Sequence, residues 1–431
     1  MLESSPISPV VDQLADLTLW EAELAADPQL VASSLIGRLA TVPDPRRPQG
    51  RRHPLVVILV LAACATLVVG NDSVAAIWQW AAGTAQDVLA RLGARYDALS
   101  GRYLVPSERT FRRVLSSLDG DALDAAVSGY LTDVTRQDSP VPVLPAPAGP
   151  AEREQRRAAR RAVTHPAPAG LLPAAAIDGK LLHGTVTAHG RVFLVAAISH
   201  ANAVVLGQRQ VADKRGEGSA TAPLLAGMDV AGMVLTLDAL HTTKKTARLI
   251  TEKLHAHYVL ILKANQPLAL RAAQALLSGT DAQFAQAMTV EQDRGHGRTE
   301  RRTLRVAAAD DGLFPGARQV FRLRRDTGGL DGHRTHKEIV YGITSMPADL
   351  ASPAHINHYE RQHWRVESLH WIRDVTFHED NCQLRTGAAP RALAAFRNLA
   401  IGTYRLAGRA NIAHARRDLH DRSDVFAVHG I

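Results

Sequence analysis

The sequence predicts an all-α N-terminal domain followed by an α/β domain that carries a β-rich insertion. Three observations support this. Apolar periodicity of the helical kind runs through residues 1–137. A Pro-, Ala- and Arg-rich stretch over 138–170 breaks it. Beyond that, short apolar runs alternate with amphipathic ones, as in an open, largely parallel sheet covered on both faces.

The 431 residues suffice for two or three domains, and 46% hydrophobic content supplies a large core. Fifty Lys and Arg against 42 Asp and Glu leave a net charge of +8. That balance suits a polyanionic partner, nucleic acid first, or else a plain solvated basic surface. Two distant cysteines, Cys64 and Cys382, exclude a disulfide scaffold and a cysteine-based zinc finger, and fit a reducing cytoplasm. The N-terminus "MLESSPISPVVDQLADL" lacks a basic segment followed by an apolar one, so no signal peptide is expected.

In chain order, "LVVILVLAACATLVV" (55–69) is shorter than the roughly 20 residues a membrane span needs, and reads as a buried core helix. "DPRRPQGRRHP" (44–54) is a basic loop broken by Pro and Gly. In "VPSERTFRRVLSSLDG", Ser107 is the expected N-cap and Phe111, Val114 and Leu115 form a buried stripe. Arg109, Arg112 and Arg113 stay outside it, as on a DNA-reading helix or on any amphipathic surface helix. The connector over 138–170 reads as extended. Its arginines 153, 156, 157, 160 and 161 either meet DNA phosphates or keep a short helix in water.

From 171 to 410, "PAAAIDG", "RVFLVAAIS", "AVVLGQRQVA", "MVLTLDAL" and "YVLILKAN" read as strands, and "ATAPLLAGMD" and "TTKKTARLITEKLH" as helices. Residues 276–346 form the β insertion, a long helix opens near "SPAHINHYERQHWRVESLHWIRDV", and 411–431 is a tail.

Three carboxylates stand out. Asp178 precedes Gly179, a hairpin signal, so it either makes a turn or holds a ligand. Asp238 ends an apolar strand, where open α/β sheets place ligand chemistry, or else it caps the next helix. Glu367 shares one helical face with Glu360, His363, His370 and Asp374, bordered by Trp364 and Trp371 on one side and Tyr359 and Val366 on the other. Tryptophans there are expected in the core rather than as base-stacking platforms. Zinc at His363 and His370 ranks low, without HExxH or cysteine partners. Two strand-borne aspartates and a helix-borne glutamate suit Mg²⁺, and paired ions can drive phosphodiester displacement.

The stretches "AIDGKLLHGT", "LTLDALHTTKKTARLITEKLHAHYVLILKANQP", "RGHGRTERRTLRV" and "HWRVESLHWIRDVTFHEDNCQLRTGAAPRALAAFRNLAI" resemble DDE transposases of bacterial insertion sequences, most closely H-repeat-associated proteins. "DPRRPQGRRHPL" and "VPSERTFRRVL" resemble the helical domain that accompanies them. The likeness covers residues 30–425. It implies a ribonuclease-H-like core with Asp178, Asp238 and Glu367 as the catalytic, metal-binding triad, two Mg²⁺ ions (Mn²⁺ substituting), and double-stranded DNA held by a homodimer in the cytoplasm, without a membrane. Metal-activated water would nick the element's ends, and the freed 3′-hydroxyl would attack target DNA.

Lys180, His183, Lys263, Asn265, Gln266, His296, Arg298 and Arg301 are the further DNA-contact candidates. Lys263 has an alternative as an acid's partner, and His296, Arg298 and Arg301 as cross-strand ion pairs. His183 stands where an arginine is usual. Glu360, His363 and Asp374 occupy positions that related enzymes fill with Tyr, Arg and Lys, which leaves His363, His370 and Asp374 as supporting residues of unassigned role. Two rival functions remain: a decayed or domesticated DNA-binding protein, and a structure-specific nuclease on the same core.

Overall fold

The structure, a computed structural model, describes residues 28–138, 140–147, 149–164, 166–187, 190–211, 217–295, 297–331 and 333–431. The N-terminal half is helical. Helix α1 (Leu55–Leu67) buries every residue except Val56, as its uniformly apolar sequence requires. Its last carbonyl, that of Leu67, accepts from the Tyr404 hydroxyl and from Arg416 Nε. Such partners are what a buried helix end needs. Helix α2 (Glu108–Ser117) starts at Ser107, whose hydroxyl accepts from the Thr110 amide, and it buries Phe111, Val114 and Leu115. Helix α3 (Gly120–Arg136) follows, capped by Asp119.

The connector is not simply extended. It contains helix α4 (Gly149–Thr164). Ala, Glu, Gln and Arg are strong helix formers, and here they outweigh the flanking prolines.

Nine strands then form one sheet: β1 (Ala174–Thr187), β2 (Gly190–Ser199), β3 (Val205–Val211), β4 (Val234–Leu237), β5 (His257–Leu262), β6 (Met288–Gly295), β7 (Arg298–Ala308), β8 (Gln319–Gly329) and β9 (Arg334–Thr344). Their order is β3-β2-β1-β4-β5-β9-β8-β7-β6. Only β1–β4 and β4–β5 pair in parallel; the other six pairings are antiparallel. The sheet is therefore mixed rather than largely parallel. Short connections allow only antiparallel neighbours, and most links here are short. The insertion does not stand apart, because β9 pairs with β5 and extends the same sheet.

Asp178-Gly179 makes no turn. Strand β1 runs straight through it in register with β2, and its irregularity comes later, between Leu181 and Val186.

The two faces of β1 bury different cores. Ala175 and Ile177 belong to a core that also contains Leu224, Leu225 and Ile250, whereas Ala176 joins the cluster of the N-terminal helices. On that second side lie helix α5 (Pro353–His363), helix α6 (Arg365–Trp371) and the almost wholly buried helix α7 (Ala389–Leu406). The expected single long helix is broken at Trp364 and ends in a π turn over Ile372–Thr376. Residues 411–431 are no loose tail: Ile412, Ala415, Val425 and Phe426 pack into the helical core. No helix among the described residues is long and apolar enough to cross a membrane.

Candidate active site

Strands β1 and β4 are paired in parallel with Ile177 opposite Leu237. One step further, the same register brings Asp178 beside Asp238. Thr236, two residues before Asp238, shares its face of β4, as Lys180 shares that of Asp178 on β1. The stripe of α5 and α6 lies over this face. His363 Nδ1 is 2.9 Å from Thr236 Oγ1, which is 3.0 Å from His200 Nε2. His370 Nδ1 lies 3.8 Å from Asp178 Oδ2. The Lys180 ammonium donates to both Asp374 oxygens at 2.6 Å.

Burial sets the charges. It lowers His363 to about 4 and His370 to about 3, so both rings are neutral at pH 7. His370 is also depressed by Arg373 and Lys180. Its contact with Asp178 is thus polar rather than an ion pair. Burial raises the Glu367 carboxyl, and Arg325 of the insertion draws it back down. Arg325 stacks over Trp364 with 4.8 Å to the ring centroid.

Asp238 does not cap the following helix, whose N-cap is Thr243. Its Oδ1 instead accepts from the Leu240 amide at 2.9 Å and the His241 amide at 3.3 Å. Asn265 and Gln266 secure that loop by donating to the Ala239 and Thr242 carbonyls. They therefore support Asp238 from behind, with their amide nitrogens engaged by the loop.

Lys180 is 7% exposed at the side chain and engaged by Asp374, so it is not presented to a phosphate. His183, Lys263, Arg298 and Arg301 are exposed. On α2, Arg109 and Arg113 are exposed and Arg112 pairs with Glu108 at 2.6 Å. His296 lies outside the described residues. Trp364 and Trp371 are not core: they are 49% and 61% exposed. Apart from Glu367, which is exposed, the polar stripe turns toward the protein with Tyr359, Val366 and Leu369, and this leaves the tryptophan flank outside.

Sequence reasoning missed a second group behind α6. Arg373 lies in the π turn, fully buried, and donates to both Glu379 oxygens at 2.7 and 2.9 Å. Arg397 reaches Glu379 at 3.1 Å. Gln208 links Asn398 of this group to Asp124 of α3, which Arg391 also holds. No local sequence signal marks this group, whose members come from distant segments; the π turn places the successive residues Arg373 and Asp374 on different partners.

The oxygen donors of Asp178, Asp238 and Glu367 have the chemistry a hard cation prefers. Among the described residues, however, no three His, Cys, Asp or Glu side chains stand together closely enough to hold one ion. Ligation by all three would require them to stand closer together than they do here.

Comparison with known proteins decides the family. The "Transposase DDE domain" family matches residues 172–402, and the "DDE_Tnp_1-associated" family matches 36–131. The chain belongs to the DDE transposase family. It is 26% identical over 388 residues to "Putative transposase YncI" of Escherichia coli O157:H7, covering 86% of this chain and 87% of the relative. It is 26% identical to "H repeat-associated putative transposase YhhI" of Escherichia coli K12, over 52% of this chain and 62% of the relative. An uncharacterized protein in the dhlA 3′ region of Xanthobacter autotrophicus is 29% identical over 67% of this chain and 88% of its own length. The cryo-EM piggyBac transposase synaptic complex with hairpin DNA aligns with 93% of this chain and 76% of its own at 11% identity, but its TM-score of 0.37 carries no weight for the fold. The H-repeat-associated likeness expected from the motifs is thus found among the relatives.

Proposed function

We propose that this transposase binds the ends of an insertion sequence, cleaves them by metal-dependent hydrolysis, and joins the 3′-hydroxyl ends to target DNA. The observation that supports this best is the register of β1 and β4, which sets Asp178 beside Asp238 under the helix that carries Glu367. The order β3-β2-β1-β4-β5, an antiparallel meander continued by two parallel strands, supports a ribonuclease-H-like core.

Asp178, Asp238 and Glu367 would hold two divalent cations, Mg²⁺ or Mn²⁺, which when bound activate the attacking oxygen and stabilise the leaving one. The remaining residues fix geometry. The Leu240 and His241 amides orient Asp238. Neutral His370 steadies Asp178 without neutralising it. Thr236 sets the His363 ring beside Asp238. Double-stranded DNA follows the exposed cations of α2, Lys263 and the insertion. Synapsis of two ends calls for a homodimer on DNA.

The test is Asp238→Asn, with Asp178→Asn and Glu367→Gln beside it, on DNA carrying the element's terminal repeats with Mg²⁺ or Mn²⁺. Each variant should lose cleavage and keep DNA binding. Unchanged cleavage would refute the mechanism. The three acids' lack of a ready ligating cluster favours a second reading, a DNA-binding protein that no longer cuts. Wild-type protein that binds the repeats and makes no nick would establish it. Nicks without strand-transfer products would indicate a nuclease.

A further inference from the structure

Helix α4 lies between the helical half and the sheet, and its two faces differ. One face is docked. Gln155 donates to the Gly408 carbonyl and accepts from the Ala410 amide at 2.8 Å. Glu154 accepts from Asn411 at 2.8 Å and lies 3.2 Å from His414 Nδ1. Four contacts to one short segment fix the helix's rotation about its axis.

Arg153, Arg156, Arg157 and Arg160 recur at i, i+3, i+4 and i+7, the spacing of a single helical face. All four are exposed. With 154 and 155 held inward, this stripe faces away from the protein. The helix has two acids. Glu154 is on the docked face, and Glu152, at the stripe's edge, meets Arg156 at 2.6 Å while leaving that side chain 73% exposed.

We infer that α4 is a DNA-backbone contact: a fixed strut whose arginine face grips the phosphates of a duplex. The inference rests on the DNA-binding part of the proposed function and adds a surface to it. Guanidinium groups match phosphate oxygens in pairs and stay charged at any working pH. From Arg153 to Arg160 the helix rises about 10 Å at roughly 1.5 Å per residue. One strand of a duplex presents a phosphate about every 3.4 Å of axis, so the stripe spans about three. A stripe that only kept the helix in water would not need four arginines on one face with a single acid at its edge.

The experiment measures the salt dependence of affinity for a duplex by fluorescence anisotropy, in the full chain. Each phosphate neutralised contributes about 0.9 to the slope of log affinity against log salt. The R153Q/R156Q/R157Q/R160Q variant should have a slope shallower by about 2–4, and R153K/R156K/R157K/R160K should keep most of it. The pairs R153Q/R157Q and R156Q/R160Q should each show part of the loss, which keeps the test valid if the quadruple variant misfolds. An unchanged slope in folded variants overturns the inference, and so does a change seen with duplex RNA but not with duplex DNA. A stripe-dependent slope in a protein that makes no cuts supports this inference while sinking the catalytic reading. Cleavage with a stripe-independent slope does the reverse.

Discussion

The ion pair between Lys180 and Asp374 should be a principal anchor of the glutamate-bearing helix. It joins β1, two residues past Asp178, to the π turn seven residues past Glu367, across 194 residues of sequence. Exposed ion pairs contribute about 0–1 kcal/mol, and hydrogen bonds to charged groups about 1.5–3. This pair lies between those cases: the lysine is 7% exposed, the aspartate 29%, and both contacts are 2.6 Å. Lys180→Met should therefore cost about 2–3 kcal/mol, because it also leaves Asp374 beside Asp380 and Glu379, both of which raise its pKa. Asp374→Asn should cost about 2 kcal/mol, with Asp380, 3.9 Å from Nζ, as a distant second partner. The double variant should be little worse than either single one, a coupling of about 2 kcal/mol. Urea unfolding followed by circular dichroism gives the four stabilities, provided the slope with denaturant is unchanged. If the single effects add in the double variant to within about 0.5 kcal/mol, the pair is not an anchor and the reasoning fails.

Burial alone would raise the Glu379 carboxyl, but Arg373 and Arg397 overcome it and hold the group at about 2, below its ordinary 4.5. A depressed carboxyl contributes stability that is complete above the ordinary value and is lost as the pH falls from 4.5 toward 2. The stability at stake over that range is on the order of a few kcal/mol. Glu379→Gln should flatten that acid limb in melts between pH 2 and 5, and should destabilise by about 3–5 kcal/mol at pH 7 by leaving two guanidinium groups buried without their counter-ion. An acid limb as steep as the wild type's would refute the assignment. Thr236→Val keeps the side chain's volume but removes the hydroxyl between His200 and His363. It should cost about 2–4 kcal/mol, from two buried ring nitrogens left unpaired, and loosen His363 beside Asp238. A loss below about 1 kcal/mol would show that the hydroxyl is not shared by the two rings.

Features set by neighbours in sequence were legible before the structure. Ser107 caps α2, the 55–67 run is a buried helix, and each expected strand of the sheet's first half is present. What depends on distant partners was not. Strand direction follows from which strand each one meets, and that made the sheet mixed. Asp-Gly signals a turn only when the chain is free to reverse, and at 178–179 pairing with β2 keeps it extended. Composition showed that the connector lacks a core of its own, but not that residues 408–414 would dock a helix there.

The stripe on the late helix shows where legibility ends. Period alone identifies Glu360, His363, Glu367, His370 and Asp374 as one face, but says nothing about which way that face turns. Aromatics at its border suggested that the tryptophans were inside, yet the polar residues are the ones drawn toward the sheet. A polar group can turn inward only if a partner waits there. Glu360 is buried with Arg302 as its neighbouring charge, His363 has Thr236, His370 approaches Asp178, and Asp374 has Lys180. Three of these partners lie on β1 or β4, so the contacts that satisfy the stripe also fix the helix over the two aspartates. Glu367 alone of the five is exposed. Four side chains thus hold the helix while the fifth keeps its carboxylate toward solvent. The proposed role of Glu367 as a cation ligand calls for that placement, and Glu360→Gln or Asp374→Asn should disturb it while leaving the Glu367 carboxylate itself unchanged.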